Sequence, residues 1–281
     1  MPQTYRRRQS PQSVPGMVKT LTRPKRSGAK QFEKNCRHLL TICHDQDSRQ
    51  RLAWLERQFA KAERGTSESA QAEVDIATLL DKCGYSISFV KETETRTADL
   101  ECYLGHDRVF VEVTVIVPTE SDRSGAAEIR SASNTPDEEE ASDFLKDGLV
   151  KRLRARIREK GNQLADYCAP VLLMITIAQQ EHAASPTGSK HTRKLALDLQ
   201  QLGGIITTSL ADTPQISGIL LTLWNIQPAE SRSSIRLSNV HPGEWVPGNQ
   251  GCFSQVRLLA LNPAARYPVE QEARVAIQQV L

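Results

Sequence analysis

The sequence predicts an α/β protein in which helices flank a central mixed β-sheet. Apolar runs of strand length occur several times, as in "RVFVEVTVIV" and "PVLLMITIA". Segments with helical periodicity alternate with these runs in the order α-β-β-β-α-β, followed by αβ and β. The chain has 281 residues, of which 39% are hydrophobic and 25% charged, which is typical of a globular protein with a real core. This length suits one large domain, or one domain with appendages.

Residues 1–30 predict a basic arm without regular structure. The net charge of the chain is only +3, but these residues contain eight basic groups and no acidic one. Basic arms commonly bind polyanions, so Arg6, Arg7 and Arg8 are candidate nucleic-acid-binding residues. A solubilising tail, an organellar transit peptide and a nuclear address in "PKRSGAK" are the alternatives.

Residues 31–64 predict a helical extension of one or two helices, which is where a homodimer or a protein partner would make contact. Its candidate buried positions are Leu39, Leu40, Ile42, Leu52, Leu55 and Phe59. The segment "CRHLLTICH" contains Cys36, His38, Cys43 and His44, whose spacing matches no standard zinc motif. The six cysteines of the chain form no CxxC pair, which is typical of reduced thiols in a cytoplasmic protein.

Residues 65–281 predict the main domain, beginning with a helix in "AQAEVDIATLLDKCGY". Ser67 or Ser69 could cap this helix, and Gly84 is a good stop. A strand in "SISFVKE" and a hairpin in "ADLECYL", "GHD" and "RVFVEVTVIV" follow. The acidic segment at about residues 118–143 predicts a mobile loop.

The second half of the domain begins with a long basic helix, "FLKDGLVKRLRARIREKGNQLADYC". After it we expect a strand in "PVLLMITIA", a helix in "TRKLALDLQQLG", and strands in "ISGILLTLWNI" and "CFSQVRLLALN". His241 falls in a predicted loop, "NVHPGEW", where a structural or exposed histidine is expected. No apolar run approaches the length that spans a bilayer and no hydrophobic signal segment begins the chain, so we expect no membrane association.

One carboxylate of the first domain helix points toward the predicted core. Glu73 falls within the apolar stripe of Ile76, Ala77 and Leu80, whereas Glu68 falls outside it. A charge on the core side is unfavourable unless it is paired or bound to a metal. Glu73 is therefore either a metal ligand or the partner of a buried lysine or arginine.

Two further carboxylates belong to the predicted hairpin. The strand period of two places Glu112 on one face with Thr114, in a strand that is apolar on both faces. Asp99 begins the preceding strand, although it could also be an ordinary hairpin residue. Carboxylates on paired strands can share a divalent ion, because Mg²⁺ prefers hard oxygen ligands.

The basic helix directs one lysine toward the sheet. Lys160 and Gln163 lie within its apolar stripe, whereas the other cations, including Arg152 and Arg156, occupy the remaining faces. Arg152 and Arg156 are candidate nucleic-acid contacts because duplex binding depends on neutralised phosphates. Alternatively, Lys160 extends from the apolar stripe to solvent and Gln163 is a surface residue.

This order of residues resembles the PD-(D/E)xK, or restriction endonuclease-like, superfamily. The similar stretch runs from about residue 73 to residue 177, and "ADL…VEVT" and "EKGNQLADYCAPVLLMITI" carry it. The tail "LLALNPAARYPV" is similar to the end segment of several such domains. The chain departs from the motif at Ala98, which stands in place of the proline, and at Thr114, which stands in place of the lysine.

The resemblance implies a restriction endonuclease-like core and a phosphodiesterase that depends on Mg²⁺ or Mn²⁺. Glu73, Asp99 and Glu112 would be metal ligands, and Lys160 or Lys91 would replace the motif lysine. Lys160 is preferred for its inward face, with Gln163 beside it. The expected function is hydrolysis of nucleic acid, with DNA preferred over RNA. The alternatives are an inactive nucleic-acid-binding module of the same fold, and a protein-interaction domain that uses its acidic loop and N-terminal helices.

Overall fold

The structure is a computed structural model that describes residues 28–61, 63, 65–91, 97–118, 138–178, 196–197, 199–224, 227–228, 239–242 and 255–281. These residues form an α/β fold with a seven-stranded mixed sheet and helices on both faces, which confirms the predicted fold class. Within these ranges, no helix combines the length and the apolar character needed to cross a membrane. Arg6, Arg7 and Arg8 lie outside the described residues.

The described helices are α1 (Ala29–Ile42), α2 (Gln46–Ala60), α3 (Thr66–Lys82), α4 (Glu138–Gln163), α5 (Leu199–Ala211) and α6 (Gln271–Gln278). The described strands are β1 (Ser86–Phe89), β2 (Leu100–Leu104), β3 (Asp107–Ile116), β4 (Val171–Ala178), β5 (Ala196–Leu197), β6 (Gly218–Trp224), β7 (Gln227–Pro228), β8 (Val240–Pro242) and β9 (Gln255–Leu261). The predicted helical extension thus consists of two helices, and its first helix already includes Ala29 and Lys30, which had been predicted as part of the arm.

The main sheet has the strand order β1-β2-β3-β4-β6-β9-β8. Strands β1, β2 and β3 form an antiparallel meander, whereas β3, β4 and β6 are parallel to one another. Strands β9 and β8 then close the other edge in antiparallel pairs. Every residue of β4 and β6 is buried, which explains their continuous apolar sequences, since central strands are covered on both faces.

The two faces of the sheet carry different helices. Leu172 and Met174 belong to the cluster that packs against α1, α2, α3 and α6. Leu173 and Ile175 belong to the cluster that packs against α4 and α5. Because Glu112 pairs with Leu173 in the parallel ladder, its side chain lies on the face covered by α4.

The start of α3 differs from the prediction. The helix begins at Thr66, so the predicted caps Ser67 and Ser69 are wrong. Glu68 folds back instead: its Oε2 accepts hydrogen bonds from the Gly65 amide at 2.8 Å and from Ser67 Oγ at 2.9 Å. These bonds account for the burial of Glu68, which the helical stripe had placed outside the core. The predicted stop at Gly84 is confirmed, with φ of 88°.

Helices α4 and α5 also differ in extent from the prediction. Residues 138–143, predicted as part of a loop, are helical, and acidic residues are indeed favoured in the first turn of a helix. The remainder of the predicted loop, residues 119–137, lies outside the described residues. The helix predicted in "TRKLALDLQQLG" is wrong at Ala196–Leu197, which pair with β7. Helix α5 continues to Ala211 instead, and hydroxyls such as Thr207 Oγ1 donate to carbonyls one turn back.

Three smaller features also differ from the sequence prediction. Leu40, predicted to be buried, is 38% exposed. His241, predicted in a loop, lies in the edge strand β8. Helix α6 was not predicted, although Ala273 and Ile277, spaced by four residues, are its buried positions.

Candidate active site

Glu73 on α3 is buried and forms a bidentate ion pair with Arg51 on α2. Arg51 Nε donates to Glu73 Oε1 at 2.7 Å, and Arg51 Nη2 donates to Glu73 Oε2 at 2.9 Å. The side chains of Arg51 and Glu73 are only 11% and 7% exposed. The sequence left two roles for Glu73, a metal ligand or the partner of a buried lysine or arginine. The structure shows the second, with Arg51 as the partner.

Arg51 also connects Glu73 to the hairpin. Its Nη2 donates to Asp99 Oδ1 at 3.2 Å, and its Cζ lies 4.4 Å from the centroid of the Trp54 ring. One guanidinium thus compensates two carboxylates and stacks on an aromatic ring. The sequence reading missed Arg51, yet Arg51 shares a helical stripe with the buried Ser48, Leu52 and Leu55. A cation in the buried stripe of a helix was the signal that could have found it.

Asp99 lies immediately before β2 and is held across the hairpin by main-chain contacts. Its Oδ2 accepts a hydrogen bond from the Val113 amide at 2.8 Å, and its own amide donates to the Val111 carbonyl at 3.0 Å. These bonds fix the carboxylate over the portion of β3 that contains Glu112. Asp99 therefore has a structural role in the hairpin and also faces the cluster.

Glu112 lies in the middle of β3 and is 3% exposed. Its Oε1 accepts a hydrogen bond from Lys160 Nζ on α4. Lys160 Nζ also donates to Gln163 Oε1 at 3.0 Å, and Gln163 Nε2 donates to the Thr97 carbonyl at 3.4 Å. Lys160 and Gln163 thus both face the sheet, and a chain of polar contacts links α4 to the segment before β2.

The electrostatic environment of Glu112 is unfavourable to its charge. Burial, followed by repulsion from Asp99, raises the pKa of Glu112, whereas Lys160 and Arg51 oppose this rise. Oε2 of Glu112 is buried and has no hydrogen-bond partner within the described part of the chain. A buried carboxylate oxygen without a partner is costly, so this atom is the position at which a metal ion or a donor would be most favourable.

Thr114 follows Glu112 on the same face of β3 and is buried. Its hydroxyl supplies no positive charge where the motif would have a lysine. Of the two lysines considered as replacements, Lys91 is exposed, whereas Lys160 contacts Glu112. Lys160 is therefore the lysine that the fold brings to this position.

The metal-ligand geometry is incomplete in this arrangement. Across the described ranges, no group of three or more His, Cys, Asp or Glu side chains is arranged to hold a metal ion. Both oxygens of Glu73 accept hydrogen bonds from Arg51. Carboxylate oxygens are nonetheless the ligands that Mg²⁺ prefers, and Glu112 Oε2 is buried without a partner. Asp99 and Glu112 thus supply oxygens of the kind that a divalent ion prefers, whereas Arg51 holds both oxygens of Glu73.

The zinc alternative in the N-terminal extension is not supported by the geometry. Cys36 and Cys43 are buried in the core, whereas His38 is exposed and lies 2.7 Å from Asp81 Oδ2. His44 is exposed as well. These side chains do not converge on one point.

The cations of α4 differ in their surroundings. Arg156 Nη1 lies 3.1 Å from Glu159 Oε2 in a partly exposed ion pair. Arg152 is half-buried, whereas Lys151, Arg154 and Arg158 are exposed on the outer faces. Of the two arginines proposed from the sequence as nucleic-acid contacts, neither is fully exposed.

The chain matches no family model, and neither a curated protein nor a solved structure matches it. Functional interpretation therefore depends on the geometry of the cluster formed by Arg51, Glu73, Asp99, Glu112 and Lys160, called the carboxylate cluster below.

Proposed function

We propose that this protein is a nuclease that hydrolyses phosphodiester bonds in DNA with Mg²⁺ or Mn²⁺. The observation that carries the proposal is the environment of Glu112. Its Oε1 accepts a hydrogen bond from Lys160, and its Oε2 is buried without a partner among the described residues. The carboxylate of Asp99 is close enough to raise the pKa of Glu112. Metal-assisted phosphodiester hydrolysis uses a divalent-ion site, and an ammonium beside it can position the attacking water. The carboxylate cluster combines groups of both kinds.

The chain order of the elements supports the same proposal. Helix α3 carries Glu73, Asp99 and Glu112 follow on the hairpin, and α4 carries Lys160 before the buried strand β4. This is the order on which the resemblance to the PD-(D/E)xK superfamily rests. We therefore include a restriction endonuclease-like core in the proposal.

Each residue of the carboxylate cluster would have its own role in the reaction. Asp99 and Glu112 would hold the divalent ion, which when bound supplies a Lewis acid for the attacking water and offsets charge on the phosphate. Lys160 Nζ would orient the attacking water by a hydrogen bond, and Gln163 would hold that ammonium in place. Arg51 would link Glu73 to Asp99 through its guanidinium.

The exposed cations of α4 would bind the phosphate backbone. Lys151, Arg154 and Arg158 lie on the same helix as Lys160, so a strand held by them would pass close to the carboxylate cluster. Such contacts release counterions and make binding strongly dependent on salt concentration.

An inactive nucleic-acid-binding module is the second candidate. Arg51 already compensates Glu73 and Asp99 without any metal, and Thr114 replaces the motif lysine. In that case, the cluster would stabilise the fold and the α4 cations would carry the binding. No comparable observation within the described residues supports a protein-interaction domain or a dimer that forms through α1 and α2.

The test is cleavage of plasmid and single-stranded DNA by the purified full chain with Mg²⁺, with Mn²⁺ and with a chelator. Glu112→Gln and Lys160→Met remove the two central groups. The matched controls are Glu101→Gln, which alters a hairpin carboxylate paired with Arg108, and Lys34→Met, which alters an exposed lysine of α1. Circular dichroism verifies that each variant is folded.

We expect metal-dependent cleavage that falls about 100-fold or more in Glu112→Gln and Lys160→Met and is retained in both controls. Cleavage that persists in Glu112→Gln would locate the activity elsewhere and contradict the proposal. Absence of cleavage with every metal, together with salt-dependent retention of DNA, would favour the inactive binding module.

A further inference from the structure

A second polar cavity lies near the opposite edge of the sheet from the carboxylate cluster. It has a volume of about 230 Å³ and lies between β8, the end of β9 and the start of α6. Its polar lining includes Asn239, His241, Gln271 and Arg274. None of its described lining residues belongs to the carboxylate cluster, and β8 is four strands away from β3 in the sheet. This cavity is therefore separate from the carboxylate cluster.

Two nitrogen atoms of the lining are buried without a partner. His241 Nε2 and Arg274 Nε both lack a hydrogen-bond partner within the described ranges. Buried donors are normally satisfied, because an unmade hydrogen bond costs free energy. Two unsatisfied nitrogens beside one cavity are therefore positions at which a polar partner would be favourable.

The charge of the cavity favours an anion. None of the described residues that line it is acidic, and Arg274 carries a permanent positive charge. Burial, followed by the charge of Arg274, lowers the pKa of His241. The tautomer with its proton on Nε2 donates one N–H at this cavity. Helix α6 begins at Gln271, and the side chain of Glu270 does not cap it. Gln271 lines the cavity, so the start of α6 borders it, whereas Glu272, the acidic residue of the first turn, is not among the lining residues.

Two other polar side chains of the lining, those of Asn262 and Ser217, already have hydrogen-bond partners. Asn262 Nδ2 donates to the carbonyls of Leu210 and Ile216, at 2.9 and 2.8 Å. Ser217 Oγ accepts a hydrogen bond from the Val171 amide at 2.9 Å. The site is thus built on a rigid framework, with the His241 and Arg274 nitrogens as its unsatisfied donors.

The cavity between α4 and α5 provides a contrast. It also contains two arginines, Arg154 and Arg158, but Asp212 shares its lining. An acidic group there competes with any bound anion, whereas no acidic residue is among the described lining of the cavity at α6. This difference distinguishes an anion site from a polar surface groove.

We propose that the cavity at α6 binds a phosphate group through His241 and Arg274. A guanidinium and an imidazole N–H line it beside the start of α6, and a tetrahedral oxyanion accepts hydrogen bonds from several directions at once. The phosphate belongs to a small phosphorylated ligand or to a nucleic-acid backbone, since both present the same chemistry. This proposal does not depend on the nuclease activity.

The experiment is a calorimetric titration of the full chain with inorganic phosphate, at constant ionic strength and with a chelator present. Parallel titrations use a nucleoside 5′-monophosphate and a single-stranded oligonucleotide. Arg274→Met and His241→Gln alter the two donors, and Arg274→Lys retains the charge without the fork of donors. Arg37→Met is the matched control, because Arg37 is an exposed arginine of α1 that pairs with Glu33.

We expect one saturable phosphate site, weakened about tenfold or more in Arg274→Met, less in Arg274→Lys, and unchanged in Arg37→Met. The same titration in Glu112→Gln should match that of the parent, which keeps this result separate from the outcome at the carboxylate cluster. Tighter binding of the monophosphate that is weakened in Arg274→Met assigns the site to a small ligand. Tighter binding of the oligonucleotide that is weakened in Arg274→Met assigns it to a backbone, and either result supports the proposal. Absence of saturable binding, or equal binding in folded Arg274→Met and His241→Gln, would overturn it.

Discussion

Replacing Arg51 with methionine removes the cation that compensates Glu73 and Asp99. Methionine preserves an unbranched apolar stem but cannot donate to either carboxylate. Glu73 would then keep its buried position with neither of its hydrogen bonds from the guanidinium. Asp99 would retain the hydrogen bond from the Val113 amide, so most of the lost stabilisation would come from the uncompensated charge of Glu73.

The magnitude follows from burial. Arg51, Glu73 and Asp99 have side chains that are 11%, 7% and 18% exposed, so little solvent screens the remaining charges. Removing one partner of a buried ion pair costs about 3–5 kcal/mol. Arg51→Met is therefore expected to lower the free energy of unfolding by about that amount in metal-free buffer. Arg51→Lys keeps the charge but not the bidentate geometry, so it should fall between the parent and Arg51→Met.

Urea denaturation of the full chain with a chelator measures this loss, and Arg37→Met is the control because its exposed ion pair contributes about 1 kcal/mol at most. Repeating the measurement with Mg²⁺ tests the metal site. If Arg51 occupies the position of the ion, Mg²⁺ binds the variant more tightly than the parent. At 100 times the Kd of the variant, Mg²⁺ stabilises the variant by about 2.7 kcal/mol and the parent by less.

Two results would refute this reasoning. A loss below about 1 kcal/mol in Arg51→Met would mean that the ion pair does not compensate a buried charge. Equal stabilisation of the parent and the variant by Mg²⁺ would mean that Arg51 and the ion do not compete for the same carboxylates.

Three further predictions concern the framework around the carboxylate cluster. Ser48→Ala should lower the free energy of unfolding by about 1–3 kcal/mol in urea denaturation, because Ser48 Oγ accepts a hydrogen bond from the buried Phe89 amide at 2.8 Å; an unchanged midpoint would contradict it. Gly84→Ala should lower the free energy of unfolding by about 1 kcal/mol in the same assay. The cause is the φ of 88°, which is unfavourable for alanine, since the added Cβ would only be in ordinary contact with Leu104 Cδ1, at 3.6 Å. An unchanged free energy of unfolding would contradict this reasoning. Cys168 should react with a thiol reagent in the native protein while Cys36 is protected, because Cys168 is exposed and burial raises the pKa of Cys36 to about 12; mass spectrometry showing equal labelling would refute this.

Local periodicity was sufficient to orient the individual residues of the cluster. Glu73 lies in the buried stripe of α3, and Lys160 lies in the stripe of α4, so a helical period of 3.6 places both correctly. The strand period of two does the same for Glu112. These residues were identified because their orientation depends on their own element alone.

The features that were missed depend on contacts between elements or on end effects. Arg51 is 22 residues from Glu73 and 48 from Asp99, and only the packing of α2 against α3 brings them together. Glu68 is buried because its side chain turns back to the amide of Gly65, a capping contact that a stripe does not include. Helix α6 is short, with two buried positions in Ala273 and Ile277, so its amphipathic signal covers little more than one turn.

Moving the lysine back to the motif position tests whether Lys160 replaces it. Thr114 lies on the same face of β3 as Glu112, two residues further along, which is about 7 Å. Lys160→Met should abolish cleavage, and the double variant Lys160→Met with Thr114→Lys should recover part of it, because the chemistry requires an ammonium near the attacking water rather than a particular element. Thr114→Lys alone places two ammonium groups beside Glu112 and is expected to lower stability rather than raise activity. Double variants that melt at the same temperature as Lys160→Met but recover no cleavage would show that the two positions are not equivalent, and that the lysine on α4 serves the charge of Glu112 and not the reaction.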